Sequence, residues 1–153
     1  MPGYVLAALA PWLKSLAALS TATLHRGWGE NIEWHSFNDA MKKAASENKH
    51  IMVIIHVMTC PACISNKYWF SRSKAIAELS QHFVMVNAQP SEIPRVIKEL
   101  APDGHYVPRI LFMTPNGRVL RGVGTGHPEY NYVYMDEHQL VRNMKNLATR
   151  GAR

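Results

Sequence analysis

Cysteine is scarce in this 153-residue chain: there are two, and both lie in Cys60-Pro61-Ala62-Cys63. A scaffold stapled by several disulfides is therefore excluded. No Asn-x-Ser/Thr sequon occurs, so glycosylation offers no clue to compartment. There is no stretch of about 20 uninterrupted apolar residues, and no membrane-spanning helix is expected. Acidic side chains are missing from the first 29 residues and again after Glu137. The basic residues of that acid-free end (Arg142, Lys145, Arg150 and Arg153) read as a solvated helix face. Without aromatic-basic interleaving or a finger pattern, no nucleic-acid partner is expected. What remains is ordinary globular material: 47% hydrophobic, 18% charged, net charge +6, enough for one domain with a short appendage.

Residues 1–27 form that appendage. Val5, Leu6, Leu9, Trp12, Leu13, Leu16 and Leu19 fall within roughly 140° of a helical wheel, with Lys14 opposite. Three readings compete for them. A secretory signal would use residues 4–13 as its apolar region and cleave near Ser20-Thr21-Ala22. An amphipathic helix would explain the arc, with a kink at Pro11. An organellar transit peptide would want more arginine than Arg26 alone.

The two cysteines have an informative setting. A β-rich apolar run, Ile51-Met52-Val53-Ile54-Ile55, leads towards Cys60, and a helix-compatible stretch follows. That context makes the CxxC a candidate dithiol/disulfide centre. Two thiols one helical turn apart can close a short ring, so a mixed disulfide on the first can be resolved by the second. Cys60 is expected at a helix N-terminus, where unpaired N–H groups and the macrodipole favour thiolate. Pro61 suits the first helical position. Other readings use the same residues: two buried, inert thiols, or half of a zinc site, including one shared by two chains. Structural zinc wants four N/S ligands, and the eight histidines are scattered, so neither metal nor another cofactor is expected. His56, four residues before Cys60, is either a neighbour that perturbs the thiol or a strand histidine satisfied by backbone.

From Trp28 onward, helix and strand signals alternate. Ser36-x-x-Asp39 resembles a capping box for a helix over residues 37–47. Residues 51–57 read as a buried central strand. Helical stretches are expected over residues 61–70, 73–81 and 93–100, with a strand over residues 83–86 between the last two. Residues 107–113 form a strand opening on Pro108, Pro115-Asn116-Gly117-Arg118 a turn, and residues 119–123 the return strand of a hairpin. Gly122, Gly124 and Gly126 mark a loop; they do not open a helix as a nucleotide cradle requires. Asp136-x-x-Gln139 caps a last helix through residue 148. The order predicts an α/β sandwich with a mixed sheet.

A strand feeding CxxC, Val107-Pro108 opening a hairpin, and a terminal helix together resemble the thioredoxin fold: α/β, a three-layer sandwich with a central mixed sheet, here over residues 28–150. The resemblance narrows on Ile54-Ile55-His56, on Glu78-Leu79-Ser80-Gln81-His82-Phe83-Val84-Met85-Val86-Asn87, and on Pro102-Asp103-Gly104-His105-Tyr106-Val107-Pro108-Arg109-Ile110-Leu111-Phe112. These are similar to the small endoplasmic-reticulum branch that holds thioredoxin domain-containing protein 12 and the anterior gradient proteins, over about residues 30–148. It implies Cys60 and Cys63 as the catalytic pair of a thiol–disulfide oxidoreductase, or isomerase, acting on protein clients that carry thiols or disulfides, with glutathione as a redox partner. It also implies that Pro108 is cis beside the dithiol and that Val107 offers its backbone to an extended client. From the residues alone, Pro108 is equally an edge-strand proline. Thr59 and Pro61 stand where active relatives usually carry tryptophan and often glycine, and Ile54 stands where thioredoxins bury an acid. Those departures open an alternative, a client-binding module with little or no turnover. The end, Thr149-Arg150-Gly151-Ala152-Arg153, is not the branch's retention tetrapeptide, so the expected location is the endoplasmic reticulum lumen or the secreted space.

Overall fold

The computed structural model of the protein describes residues 24–95 and 97–151. The signal, amphipathic and transit readings concern residues outside that range. Helix α1 (Phe37–Glu47) starts where the capping pattern predicts it, with the Ser36 side chain accepting from the Asp39 N–H at 3.2 Å. Strand β1 (His50–Ile55) follows, buried at every position. A strand apolar on both faces must be covered on both, and β1 is indeed the central strand of three. Strand β2 (Phe83–Ala88) pairs with it in parallel, Ile51 opposite Val84 and Ile54 opposite Asn87. On its other side β3 (Arg109–Met113) pairs antiparallel, Ile54 opposite Ile110. The order β2-β1-β3 makes a mixed sheet.

A parallel pair needs a crossover over one face of the sheet. Here α2 (Pro61–Arg72) and the short α3 (Lys74–Leu79) provide it. Side-chain alternation along β1 then divides the core. Ile51, Val53 and Ile55 pack with Phe37, Ala40 and Ala44 of α1. Met52 and Ile54 face Phe70 of α2, Ile76 of α3 and Leu140, Met144 and Leu147 of α4 (Glu137–Arg150). Trp28 and Trp34 are fully buried in that second layer. The result is a three-layer thioredoxin-like sandwich.

Two expected elements are replaced. The return strand over residues 119–123 shrinks to one bridge, Met113 with Val119, continued by Leu120 N–H donating to the Phe112 carbonyl at 2.8 Å. The chain then turns away, Val123 N–H closing on the Leu120 carbonyl at 3.0 Å, and the Tyr132 carbonyl takes the Ile110 N–H at 2.9 Å instead. The edge of β3 is thus shared by two separate pieces of chain, neither long enough to be a strand. The helix expected over residues 93–100 gives way to single 3-10 turns, Pro90–Glu92 and Lys98–Leu100. Ile93, Ile97 and Leu100 still pack against the α1 face of the core, so the apolar spacing reflects burial without continuous helix. At the last helix Asp136 caps as expected, accepting from His138 N–H at 2.9 Å. Gln139 does not close a box; its amide donates to the Thr125 carbonyl at 2.7 Å and ties down the glycine-rich loop. Among the described residues no helix is long and apolar enough to cross a membrane.

The packing ranks two substitutions. Phe112 is fully buried and its ring lies 5.6 Å from that of Phe83, so Phe112→Ala should cost about 3–5 kcal/mol. Ser36→Ala removes one cap and should cost about 1 kcal/mol. Urea unfolding of both variants checks the ranking, and equal costs would contradict it.

Candidate active site

Strand β1 ends at Ile55, and residues 56–59 carry the chain over the sheet's end to Cys60, the N-cap of α2. The first turn of any helix leaves N–H groups without intrahelical partners. At α2 a sulfur fills the place an oxygen usually takes: Cys60 Sγ accepts from the Cys63 N–H at 3.3 Å, and Pro61, with no N–H to satisfy, opens the helix. One turn further, Cys63 points inward and is 1% exposed, whereas Cys60 is only half-buried. Both thiols are free.

Their acidities diverge for this reason. Burial opposes ionisation of Cys60, but the Cys63 thiol and the backbone N–H groups of Cys63 and Ala62 outweigh it and hold Cys60 below the ordinary thiol value. For Cys63 the balance falls the other way. Burial first, and then its hydrogen bond to Cys60, push it up to about 11, although a backbone bond from Val57 and the charge of Lys67 pull the other way. An acidified, half-buried thiol and a buried partner that holds its proton follow from one helix start.

Opposite the dithiol lies the loop before β3. Its Val107–Pro108 peptide bond is cis, and the Val107 carbonyl accepts from Cys60 Sγ at 3.9 Å. Cys60, Cys63, Val107 and Pro108 are therefore gathered at one end of the sheet. Arg109 anchors this loop from inside the core, donating to the Leu100 carbonyl at 3.1 Å and to the Tyr106 carbonyl. Tyr106 in turn donates to Asp103 at 2.6 Å and accepts from the Tyr132 N–H at 3.3 Å. These anchors carry no signal in the sequence beyond a charged residue inside an apolar strand.

Neither expectation for His56 describes it fully. The ring is fully buried and meets a side chain: Nε2 lies 3.2 Å from Asn87 Oδ1, and Trp28 packs edge-on with ring centres 5.2 Å apart. Burial holds His56 below the ordinary histidine value; Lys67 and Arg26 reinforce that and the Asn87 bond opposes it. Asn66 is also buried on the inner face of α2, three residues after Cys63. A polar side chain at that spacing, where an apolar one is expected, was the available signal. Among the described residues no cluster of three or more His, Cys, Asp or Glu side chains is placed to hold a metal ion.

The split between the thiols predicts selective chemistry. Iodoacetamide at neutral pH should alkylate Cys60 and spare Cys63, as read by peptide mass mapping. Preferential labelling of Cys63 would contradict the assignment.

Comparison with known proteins matches this geometry. A family profile described as Thioredoxin-like matches residues 33–115. Anterior gradient protein 2 of Xenopus laevis is 40% identical over 128 residues, covering 80% of this chain and 67% of that protein. Anterior gradient protein 2 homolog of Homo sapiens is 35% identical over 126 residues, with 80% and 70% covered. Among solved structures, a thioredoxin from Thermus thermophilus superposes with a TM-score of 0.56 at 19% identity, covering 79% of this chain and 90% of that one; at that identity the likeness concerns the fold. With a CxxC at a helix start, a cis proline beside it and relatives of this similarity, the chain belongs to the thioredoxin-like family, in its anterior gradient branch.

Proposed function

We propose that the protein is a thiol–disulfide oxidoreductase for protein clients, acting through Cys60 and Cys63. The observation that carries the reading is the polarity of the pair: a half-buried, acidified Cys60 over a buried Cys63 whose pKa burial pushes up to about 11. In the reducing direction the Cys60 thiolate attacks a client disulfide, forming a Cys60–client bond and expelling one client thiolate. Cys63 then gives up its proton and attacks Cys60 Sγ. A Cys60–Cys63 disulfide forms, the second client thiol leaves, and the pair loses the two electrons the client gains. In the opposite direction a client thiolate attacks the oxidised pair. Val107 and Pro108 are assigned to the client, whose extended backbone would lie against the carbonyl beside Cys60. Glutathione is the redox partner in this reading. The branch supports a location in the endoplasmic reticulum lumen or the secreted space, where client disulfides persist.

A second reading, client binding with little turnover, is favoured by exposed apolar side chains before and along α2: Met58 at 46%, Ile64 at 52% and Tyr68 at 64%. Turnover of a disulfide-bonded protein substrate in a glutathione buffer separates the two. Exchange predicts activity in the wild type, none in Cys60→Ser, and a trapped protein–client mixed disulfide in Cys63→Ser. A wild type that binds the substrate but leaves its disulfides intact, with binding unchanged in Cys60→Ser, would establish the second reading.

A further inference from the structure

Resolution of the mixed disulfide requires Cys63 to lose a proton while it is 1% exposed. Bulk water is a poor acceptor for a thiol in that position. On the α2-facing side of β1, Ile54 is apolar and fully buried, and the next side chain of that alternation, beyond the strand's end, is His56. The backbone of Val57, the residue beside His56, is near enough to the Cys63 thiol to favour its ionisation.

The hydrogen-bond pattern settles which ring nitrogen is available. Asn87 Nδ2 donates to the Leu24 carbonyl at 2.7 Å, so its Oδ1 is the atom presented to His56 Nε2 at 3.2 Å. Oδ1 only accepts; Nε2 therefore carries the proton of the neutral ring and Nδ1 keeps its lone pair. That Nδ1 is buried without a partner, as are Trp28 Nε1, Trp69 Nε1 and Asn66 Nδ2, all three of which are donors. Trp28 packs on both His56 and Phe70, and Asn66 shares the inner face of α2 with Cys63 and Phe70. Among the described residues, His56 Nδ1 is thus the one buried unpartnered side-chain atom that can accept a proton, and its ring packs on Trp28, which in turn packs on Phe70 of the dithiol helix.

We infer that His56 is the base that takes the Cys63 proton, through Nδ1 directly or by way of one water, as the mixed disulfide is resolved. The inference rests on the exchange reading above. As Cys63 Sγ bonds to Cys60 Sγ, its proton passes to Nδ1, the Cys60–client bond breaks, and the client leaves as thiolate. The imidazolium then returns the proton to that thiolate or to solvent. Burial keeps the resting ring neutral and able to accept. In the mixed disulfide Cys60 is neither thiol nor thiolate, which removes both of its influences on Cys63, the hydrogen bond and the charge, and leaves burial. The groups whose charge reaches the ring are Lys67 of α2, Arg26 of the N-terminal turn and Glu92 of the turn after β2. Arg26 and Glu92 pair with each other at 2.5 Å, so their effects on the imidazolium largely offset.

The test uses the reduced full chain and one equivalent of an aromatic disulfide, dithionitrobenzoate, in stopped flow. Attack by Cys60 releases the first coloured thiolate; attack by Cys63 on the mixed disulfide releases the second. His56→Phe should slow the second release by about a hundredfold, within the range of general-base catalysis, and change the first by less than about threefold. His56→Gln retains an amide donor for Asn87 but lacks a base, so it should be as slow in the second phase. In both variants the second-phase rate should rise tenfold for each pH unit, following hydroxide, where the wild type is flatter. A second release at the wild-type rate in His56→Gln, or an unchanged pH profile, would overturn the assignment and leave His56 a packing residue. No protein client is needed, so a protein that fails to turn over client disulfides but shows the His56-dependent phase would count against exchange alone.

Discussion

The hydrogen bond from the Cys63 N–H to Cys60 Sγ at 3.3 Å is the interaction around which the site is organised. Helices α1, α3 and α4 are capped by oxygen, from Ser36, Ser73 and Asp136. Helix α2 alone among these four is capped by sulfur. A neutral thiol is a weak acceptor, and a thiolate is a strong one. The demand of the helix start for an acceptor is therefore also a force for ionising Cys60. The same turn sends Cys63 inward, where burial has the opposite effect.

The rest of the fold holds that helix start in place. A strand buried at all six positions feeds it, and the parallel pairing of β1 with β2 obliges the chain to cross the face on which α2 lies. The facing loop is set by Arg109, whose guanidinium is spent on two backbone carbonyls of that loop. Past Ile55 the strand's alternation reaches His56, whose buried imidazole packs on Trp28 and meets Asn87 beside an apolar layer that includes Trp34 and Phe70. Apolar packing fixes where the polar groups stand, and the polar groups then determine the chemistry.

Local features were legible in the sequence. Ser36, Cys60-Pro61 and Asp136 act within three residues of themselves, so their spacing announces their roles. The α/β order and mixed sheet followed from alternating apolar patterns together with the family resemblance. Features that depend on distant chain were not legible. Residues 119–123 have strand character but lose the edge of β3 to the Tyr132 carbonyl. Ile93, Ile97 and Leu100 keep a helical spacing because they are buried, not because they are helical. The surroundings of His56 draw on Leu24, Trp28 and Asn87, brought together only by the packing of β2 beside β1.

The central claim is that this pair cycles between dithiol and disulfide, and its reduction potential against glutathione tests that most directly. The acidified Cys60 over a protonated Cys63 predicts reversible formation of a Cys60–Cys63 disulfide, with a potential between about −270 mV, as in thioredoxin, and about −180 mV, as in protein disulfide isomerase. A pair that stays reduced, or stops at a glutathione adduct on Cys60, across that whole range would contradict it.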